Sequence, residues 1–402
     1  MLQLFRKQKM WGRHDLKPSY EVVIIGAGVH GLATAYYLGK CGIKNVAVLE
    51  KGYLGSGNSG RNTAIIRSNY RTPEGVAFYN ESVRLYEKLS QELDYNVLFS
   101  QQGHMTLAHT DSAIIGLRVR AEVNTLMGVD SRLIGPEEIA RLVPALDVSA
   151  RPRYPVMAAL YHPPGGIIRH DAVVWGYARA VERMGLEVHP HTEVTAIERA
   201  NGSVSAVQTN RGRIKTGTIL NATSGWCSLI AKMVDIELPI VSHPLQACVT
   251  EPLKPFLDKI IVSSNLHIYI SQTDRGELVI GAEIDPYSSY NMQSTLPTLE
   301  QIAGHSLELF PCIRNVRVLR QWGGICDMTP DYSPLMGETE VKGFLVDVGW
   351  GTYGFKAGPV SGKMMAELIA TGKIPELIRP FAPGRFRENT LVGEKAAAAV
   401  SH

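Results

Sequence analysis

The segment from Tyr20 to Glu50, YEVVIIGAGVHGLATAYYLGKCGIKNVAVLE, constrains the fold more than any other. An apolar strand leads into a Gly26-x-Gly28-x-x-Gly31 turn, an apolar helix follows, and a second strand ends on an acid. Gly26 permits the tight turn, Gly28 lets the backbone approach a pyrophosphate, and Gly31 allows helix and strand to pack closely. Glu50 comes about 20 residues later, where an acid hydrogen-bonds a ribose 2′-OH. This order predicts a βαβ unit that binds an adenine dinucleotide.

The composition narrows the class of protein. The chain has 402 residues, 45% hydrophobic and 20% charged, which is ordinary for a globular protein of two or three domains. A net charge of +3 without a basic stripe argues against nucleic-acid binding. Five cysteines without a C-x-x-C pair suit a reducing compartment, so a cytoplasmic protein is expected. No segment has the pattern of a signal peptide or membrane span, so no membrane contact is expected.

Two other kinds of site have little support. His189-Pro190-His191 comes nearest to metal-ligand spacing, but a proline between two strand residues weakens it, and no metal site is predicted. No G-x-S-x-G elbow indicates a hydrolase. The basic first 19 residues read either as an arm that binds a partner or as a loosely docked terminus.

Hydrophobic periodicity predicts a dinucleotide-binding domain interrupted by a sheet domain. Alternating segments from Ile240 to Glu283 indicate an antiparallel sheet. Single strands over Glu187–Ile197, Ser203–Gln208 and Ile214–Ala222 predict a meander. A strand from 343 to 350 is expected to feed a last helix at Pro359–Thr371. The predicted division is 1–19 as an N-terminal extension; 20–100, 151–239 and 320–385 as the dinucleotide-binding domain; 101–150 and 240–319 as the substrate and interface domain; and 386–402 as a tail.

Three segments outside the glycine turn carry candidate chemistry. The turn from 349 to 359 points several backbone N–H groups at one ligand, as at a flavin edge, with Lys356 adding a positive charge. A purely structural turn would also use glycines. Arg67 suits bidentate capture of a carboxylate, although an arginine after an apolar run is more often a solvated surface charge. His170 follows a rigid turn, and its ordinary interpretation is a helix cap or core histidine.

Several long motifs together carry a family resemblance. They are the glycine turn, NSGRNTAIIRSNYRTPEGV, AALYHPPGGIIRHD, NATSGW and GWGTYGFKAGP. From about Tyr20 to Phe381 the chain resembles the D-amino-acid oxidase group of flavoproteins, and more narrowly the beta subunits of heterotetrameric sarcosine oxidases. The resemblance implies an α/β fold: a discontinuous Rossmann-like FAD-binding domain with an inserted antiparallel-sheet substrate domain of α+β type.

The resemblance also implies cofactors and roles for single residues. FAD is expected to bind noncovalently, and FMN to be attached covalently to His170. Arg67 and Lys356 match positions that clamp the substrate carboxylate in related amine oxidases, so they are the expected catalytic residues. The expected cofactor-binding residues are Gly26, Gly28, Val29, His30, Gly31, Glu50, Lys51, Asn58, Ser59, Arg61, Asn62, Thr63, Val194, Gly225, Gly351, Gly354, Phe355 and Lys356, with His170 for FMN.

The implied reaction is the oxidative demethylation of sarcosine to glycine at FAD. Electrons pass to FMN and then to oxygen, which gives hydrogen peroxide. The one-carbon unit goes to tetrahydrofolate as 5,10-methylenetetrahydrofolate or leaves as formaldehyde. The expected partners are the alpha, gamma and delta subunits of sarcosine oxidase, with tetrahydrofolate and NAD on the alpha subunit.

Two departures from the monomeric sarcosine oxidases qualify this reading. Those enzymes tether FAD through a cysteine just before an MTPD-like motif, whereas Cys326 lies out of register with Met328. Their flavin-facing lysine has no counterpart between Gly276 and Asp285, which agrees with oxygen reacting at FMN. Two rival functions stay open: a related subunit that oxidises proline or an opine, and a noncatalytic flavin subunit that only relays electrons.

Overall fold

The structure is a computed structural model, and it describes residues 10–394. In this range the helices are α1 (Val29–Lys40), α2 (Pro73–Leu93), α3 (Asp111–Leu126), α4 (Pro136–Leu142), α5 (His170–Arg183), α6 (Cys227–Lys232), α7 (Leu296–Leu309), α8 (Gly354–Thr371) and α9 (Arg385–Glu388). The strands are β1 (Val22–Ile25), β2 (Val46–Leu49), β3 (Ile65–Ile66), β4 (His104–Ala108), β5 (Arg132–Ile134), β6 (Ala158–His162), β7 (Gly166–Ile167), β8 (Glu187–His189), β9 (Val194–Ala200), β10 (Ser203–Thr209), β11 (Gly212–Lys215), β12 (Ile219–Asn221), β13 (Val241–Pro252), β14 (Ile260–Ser263), β15 (Ile268–Gln272), β16 (Glu277–Ile284), β17 (Val318–Met328), β18 (Leu335–Glu338) and β19 (Phe344–Val348).

The predicted βαβ unit forms the centre of a six-stranded sheet. The strand order is β18-β19-β12-β1-β2-β8, parallel except for the edge strand β18. Strand β1 is buried on both faces. Val22 and Ile24 pack against α1, α5 and α8, while Val23 and Ile25 pack against the three-stranded sheet of β9 to β11. A parallel strand covered on both faces needs a continuous apolar run, which explains the sequence VVII.

A second, eight-stranded sheet follows the order β17-β13-β16-β15-β14-β4-β6-β5. Its pairs are antiparallel except for β14 with β4. One face packs on α4 and α7 around Met105, Leu107, Ile270 and Ile280. The α/β prediction with an additional, mostly antiparallel sheet is therefore confirmed.

Two predicted single strands are each two strands in different sheets. Strand β8 pairs in the six-stranded sheet and β9 in the three-stranded sheet, because the chain turns between them at Pro190 and His191, where φ is +55°. Likewise β11 ends before Gly217, and the Thr216 hydroxyl bonds the carbonyl of Thr218 at 3.0 Å before β12 begins. Both predictions were wrong because an apolar run continues through these turns.

The last helix begins earlier than predicted. Helix α8 starts at Gly354, so Pro359 lies inside it and cannot donate a hydrogen bond to Phe355. The hydroxyl of Tyr86 donates to that carbonyl instead at 2.6 Å. A donor from α2 therefore allows the helix to continue through a proline, and the first turn of α8 carries Phe355 and Lys356.

The sequence-based division into domains stays a prediction, but two strands pair differently from it. Strands β6 and β17, expected with the dinucleotide-binding domain, hydrogen-bond into the eight-stranded sheet. Within the N-terminal extension, His14 lies 2.9 Å from the carboxylate of Glu182, and Lys215 donates to the carbonyl of Pro18 at 2.9 Å. Its first nine residues, and the tail from 395, lie outside the described range.

Candidate functional site

A cavity of about 470 Å³ lies between the carboxyl ends of β1 and β2 and the eight-stranded sheet. One part, here called the dinucleotide end, is lined by Gly26, Gly28 and Glu50. The other part, called the cation end, is lined by Arg67 and Lys356. The two parts differ in how their polar groups are bonded.

At the dinucleotide end, the glycine turn leaves no room for side chains. A Cβ on Gly31 would lie 2.0 Å from the carbonyl oxygen of Gly26, and a Cβ on Gly26 would lie 2.5 Å from that of Ala222. Gly26 also has φ +110°, which favours glycine. At Gly28 a Cβ would meet the Ser59 hydroxyl at 2.9 Å. The backbone thus forms a bare cradle at the N-terminus of α1, which suits a phosphate.

The carboxylate of Glu50 is fixed by neighbouring backbone. It accepts hydrogen bonds from the N–H groups of Ala27 at 3.0 Å and Gly52 at 2.8 Å. Ser56 adds a longer bond at 3.3 Å. Each carboxylate oxygen has more than one lone-pair site, so Glu50 still has acceptor capacity toward the cavity it lines.

The loop after Lys51 joins the glycine turn to the eight-stranded sheet. Ser59 accepts a bond from the N–H of Val29 at 2.9 Å, which satisfies a donor at the start of α1. Asn58 bonds both the N–H and the carbonyl of Ile325 on β17. Arg61 donates to the carbonyl of Gly323 at 3.3 Å. The loop is therefore held by specific bonds on both sides.

His30 lies on the first turn of α1 with both ring nitrogens bonded. Nδ1 is 3.2 Å from a carboxylate oxygen of Asp347, and Nε2 is 2.8 Å from the carbonyl oxygen of Gly354. Burial alone would lower the pKa of His30, but the Asp347 carboxylate and the Gly354 carbonyl raise it above its ordinary value. A protonated His30 donates at both positions, and so joins α1 to the start of α8.

Asp327 on β17 holds the turn that precedes α8. Its carboxylate accepts from the N–H of Gly349 at 2.6 Å, and its carbonyl accepts from that of Gly351 at 3.1 Å. Burial raises the pKa of Asp327 to about 6, against the lowering effect of the backbone N–H groups of Asp327 itself, Gly349 and Trp350. Gly349 and Gly351 both have positive φ, so the turn depends on glycine as well as on this acid.

At the cation end, Arg67 follows the short strand β3 and is only 4% exposed. Its Nη1 donates to the backbone and side-chain oxygens of Asn69, at 3.1 and 3.0 Å, and its guanidinium lies 4.4 Å from the ring centre of Tyr70. The stacked ring orients the guanidinium toward the cavity that Arg67 lines. The surface-charge interpretation of Arg67 does not apply.

Lys356 is 9% exposed, and among the residues that the structure describes its ammonium donates only a long bond, 3.3 Å, to the carbonyl of Thr352. Burial, and then the charge of Arg67, hold its pKa well below the ordinary value for lysine. Arg120 is also buried nearby, and burial followed by the charge of Arg67 lowers its pKa to about 9. Within residues 10–394, no carboxylate forms an ion pair with any of these three cations. Buried cations normally have an anionic partner, so this end suits an anionic ligand.

His170 is the first residue of α5, away from the lining of the cavity. Its ring lies edge-on to that of Phe355, with centroids 6.5 Å apart, and Phe355 does line the cavity. Burial lowers the pKa of His170, although Asp171 opposes this, so the surroundings favour the neutral ring. A neutral imidazole has the lone pair that covalent attachment requires.

The structure brings most of the predicted residues together. Those lining the cavity are Gly26, Gly28, Val29, His30, Glu50, Lys51, Asn58, Ser59, Arg61, Asn62, Thr63, Arg67, Val194, Gly351, Gly354, Phe355 and Lys356. Gly31, Gly225 and His170 do not line it. Gly31 packs against the Gly26 carbonyl, and Gly225 packs under Ile325, where a Cβ would meet the side chain at 2.5 Å.

Sequence reasoning missed three polar residues at this site, of which His104 and Arg120 are buried and Tyr269 is half-buried. His104 on β4 and Tyr269 on β15 line the cavity, and Arg120 on α3 lies behind Arg67. A histidine or tyrosine in an alternating strand looks like an ordinary core residue. The only available signal was a polar residue at the inward position of an apolar strand. Arg120 gave no signal, because α3 exposes both charged residues and the apolar residues Ile115, Val119 and Leu126, so its buried face is not evident from the sequence.

The described part of the chain lacks two features, a cluster of metal ligands and a membrane-spanning helix. It contains no group of three or more His, Cys, Asp or Glu side chains placed to hold a metal ion. None of the helices between residues 10 and 394 combines the length and apolar character that crossing a membrane requires.

Comparison with known proteins identifies the family. Residues 21–368 match the family model described as FAD dependent oxidoreductase. The chain is 47% identical over 396 residues to "Sarcosine oxidase subunit beta" of Rhodobacter capsulatus, covering 98% of this chain and 95% of that protein. It is 43% identical to the protein of that name from an Arthrobacter species, covering 98% and 97%.

Among solved structures, L-proline dehydrogenase from P. horikoshii superposes with a TM-score of 0.88 at 31% identity, covering 94% of this chain and 100% of that one. The bare glycine cradle and the acid beside it, both lining one cavity, fit a dinucleotide cofactor. The chain belongs to the FAD dependent oxidoreductase family and, within it, to the family of the sarcosine oxidase beta subunits.

Proposed function

We propose that this FAD-dependent amine oxidoreductase is the catalytic beta subunit of a heterotetrameric sarcosine oxidase. The observation that carries the proposal is the cation end, where Arg67 and Lys356 are buried without a carboxylate partner in the described residues. Sarcosine is a small amino acid whose carboxylate would supply that partner. Close relatives named sarcosine oxidase subunit beta support this choice of substrate.

The proposed cofactor arrangement follows the lining of the cavity. The glycine cradle takes the pyrophosphate, Glu50 takes the ribose hydroxyls, and the turn at Gly351 with the first turn of α8 takes the flavin edge. When bound, FAD supplies an acceptor for two electrons. No sulfur from Cys326 is expected to tether it, since burial raises the pKa of that thiol. The FAD is therefore proposed to be noncovalent.

The chain's own contribution is to position the substrate. Arg67 is pre-oriented by Asn69 and Tyr70, so little side-chain freedom is lost when it binds a carboxylate. A charge-assisted pair in a buried site is stronger than in water. Fixing the carboxylate leaves the N-methyl carbon as the group that faces the cofactor. Loss of a hydride from that carbon gives an imine, which water converts to glycine and a one-carbon unit.

The second cofactor and the partners are also part of the proposal. FMN is proposed to be bound covalently to His170, which is supported by the neutral ring and its position behind Phe355. The electrons are then relayed to FMN and to oxygen, and hydrogen peroxide forms. The partners are proposed to be alpha, gamma and delta subunits, with tetrahydrofolate and NAD on the alpha subunit, in the cytoplasm. The one-carbon unit leaves as 5,10-methylenetetrahydrofolate or as formaldehyde.

A second candidate substrate is L-proline, another secondary amino acid. It is favoured by the 31% identity and full-length superposition with an L-proline dehydrogenase. Proline carries the same carboxylate, so Arg67 and Lys356 do not discriminate between the two substrates. The choice between sarcosine and proline therefore depends on the volume of the cavity beside the substrate amine, not on the charge of Arg67 and Lys356.

The test is anaerobic reduction of the flavin by sarcosine, L-proline and an opine, using the chain purified with the subunits that accompany it. Rapid bleaching by sarcosine alone is expected. Bleaching by proline or the opine alone would move the function to that substrate. No bleaching by any of them would identify a subunit that only relays electrons.

The FMN attachment is tested separately with His170→Ala. The variant is expected to lose FMN while it keeps FAD. The wild type and the variant are denatured, and the flavin that is released and the flavin that stays on the polypeptide are quantified separately. Protein-bound FMN that survives denaturation of the variant would contradict attachment at His170.

A further inference from the structure

His104 is a buried histidine in the cavity with no assigned role. It opens β4, where Met105 and Leu107 point into the core of the eight-stranded sheet. Side chains alternate along a strand, so His104 and Thr106 point to the opposite face. His104 is 0% exposed and lines the cavity together with Arg67 and Lys356.

Both ring nitrogens of His104 lack a hydrogen-bond partner among the described residues. A neighbouring buried histidine, by contrast, has hydrogen-bond partners at both ring nitrogens. His162 on β6 lies directly opposite His104 in the strand register, and it is equally buried. Its Nδ1 donates to the carbonyl of Asp130 at 2.7 Å, and its Nε2 accepts from the N–H of Ser68 at 3.3 Å. Buried polar atoms are rarely left unpaired, so the His104 ring is expected to bond a ligand.

The electrostatic environment keeps His104 neutral. Burial, and then the charges of Arg67 and Arg120, hold its pKa well below the ordinary value, with His162 and Lys356 acting in the same direction. A neutral imidazole has one N–H and one lone pair, so it can accept a hydrogen bond at one nitrogen.

Acidic groups do not compete for that role. The acids lining the cavity, within the described residues, are Glu50, Glu193 and Asp347. Glu50 is bonded at the glycine cradle, Glu193 is exposed beside β9, and Asp347 is engaged by His30 and Ser361. The hydroxyl of Tyr269 does not act as an anionic acceptor either, because burial holds its pKa above the ordinary value.

We propose that the lone pair of His104 accepts a hydrogen bond from the amine N–H of the substrate while Arg67 and Lys356 hold the carboxylate. The inference rests on the proposed function, because it assigns the amine end of the same ligand. Hydride loss requires an unprotonated amine, whose lone pair becomes the second bond of the imine. Cations beside the amine disfavour the ammonium form. A neutral acceptor binds the amine N–H without adding the negative charge that would favour that form.

The test compares two ligands that differ at one position. Pyrrole-2-carboxylate carries an N–H where furan-2-carboxylate has an oxygen, and neither needs to react. Dissociation constants are measured from changes in flavin absorbance for the wild type, His104→Leu and His104→Asn in the assembled enzyme. His104→Leu is expected to weaken binding of the pyrrole by about tenfold and of the furan by less than twofold, as expected for one hydrogen bond. His104→Asn, which keeps an acceptor, is expected to restore most of the loss.

Thr106→Val is the matched control. Thr106 lies on the same face of β4, and its hydroxyl is also buried without a partner in the described residues, but it does not line the cavity. This variant is expected to bind both ligands like the wild type. An equal loss of both ligands in His104→Leu, or no loss of either, would overturn the proposal. If His104→Leu does not retain flavin, His104→Met serves as the apolar variant under the same criteria.

The outcome is separable from the proposed function. Discrimination between the two ligands does not require turnover, so it holds or fails whether or not sarcosine bleaches the flavin. If sarcosine reduces the wild-type flavin but His104→Leu affects the pyrrole and furan ligands equally, only the role of His104 is overturned. If His104→Leu weakens only the pyrrole ligand but sarcosine does not reduce the wild-type flavin, only the choice of substrate is overturned.

Discussion

The two parts of the cavity treat buried polar groups in opposite ways. At the dinucleotide end, the carboxylate of Glu50 and both nitrogens of His30 are hydrogen-bonded by the protein itself. At the cation end, Lys356 has one long bond to a carbonyl, and both nitrogens of His104 have no partner in residues 10–394. The side chains of the first part are fixed by the protein before any ligand binds, whereas those of the second gain their missing partners only from an anionic, hydrogen-bonding ligand.

This difference separates the tasks of holding a cofactor and binding a substrate. A cofactor that stays bound benefits from a cradle whose shape is fixed by its own hydrogen bonds. A substrate must bind and leave in each cycle, so its binding groups retain unmet bonding capacity that the ligand then satisfies. The cost is the desolvation of buried cations, which the lowered pKa values of Lys356 and Arg120 reflect.

The largest expected effect comes from Arg67→Met at the cation end. The variant loses a charge-assisted, partly bidentate contact, so the dissociation constant of furan-2-carboxylate is expected to rise about 100- to 1,000-fold. FAD stays bound, since the dinucleotide end is untouched, and reduction by substrate is slow. Stopped-flow absorbance measures both. Arg67→Lys, which keeps the charge, is the control with an intermediate effect. Unchanged reduction kinetics in Arg67→Met would refute the clamp.

The next largest effect is expected from Lys356, and it appears as a pH dependence of the affinity for furan-2-carboxylate. Its pKa is lowered, so as pH rises toward the ordinary value for lysine the ammonium loses its proton and the site loses a positive charge. Furan-2-carboxylate does not titrate in this range, and its affinity is expected to fall by about tenfold as pH rises. Lys356→Met should bind the ligand more weakly than the wild type and with a smaller pH dependence, which then comes from Arg120, whose pKa is lowered to about 9. A wild type whose affinity is flat up to pH 10 would contradict the assignment.

A smaller effect, on stability, is expected from Asp327, whose carboxylate is hydrogen-bonded within the protein. Its folded-state pKa is raised to about 6 from 3.8, so the folded state binds the proton more tightly than the unfolded state. The resulting stabilisation is fully present below about pH 4 and is lost as pH rises through 6. Between pH 5 and pH 7.5 the free energy of unfolding of the wild type is expected to fall by about 1 kcal/mol relative to Asp327→Asn.

Urea unfolding of both proteins at the two pH values measures this difference. The asparagine oxygen can still accept from the N–H of Gly349, so the variant is expected to keep the turn before α8. Parallel pH profiles for the two proteins would show that Asp327 is ionised throughout this range.

The smallest effect is expected for Ser59→Ala. The variant removes the acceptor for the N–H of Val29 at the start of α1. The expected loss is about 1 kcal/mol in the free energy of unfolding, as for other helix N-terminal acceptors. Thermal unfolding with excess FAD measures it. Ser56→Ala, which removes only a long bond to Glu50, is the control and should change stability less.

The sequence predicted the parts of the fold and site that local chemistry decides. The glycine turn, the acid at Glu50 and the helix–strand alternation depend on nearby residues. The breaks at Pro190 and Gly217 depend on which sheet each strand joins. The start of α8 depends on a hydroxyl from Tyr86, which is far away in sequence.

The cation end shows the same limit in the site. Arg67 and Lys356 were predicted because motifs surround them, whereas His104 was missed because only tertiary structure places it beside them. Whether a buried histidine is satisfied, like His162, or left unpaired, like His104, is decided by residues on other elements. A single sequence does not contain that information in readable form.

The most direct test of the central claim compares furan-2-carboxylate with furan-2-carboxamide, its neutral counterpart of nearly the same shape. Each is titrated into the oxidised enzyme at pH 7, and the flavin absorbance is followed. Saturable binding of the carboxylate is expected, with at least 100-fold weaker binding of the amide, because cations without a carboxylate partner require a negative charge. Equal affinity for the two ligands would contradict it.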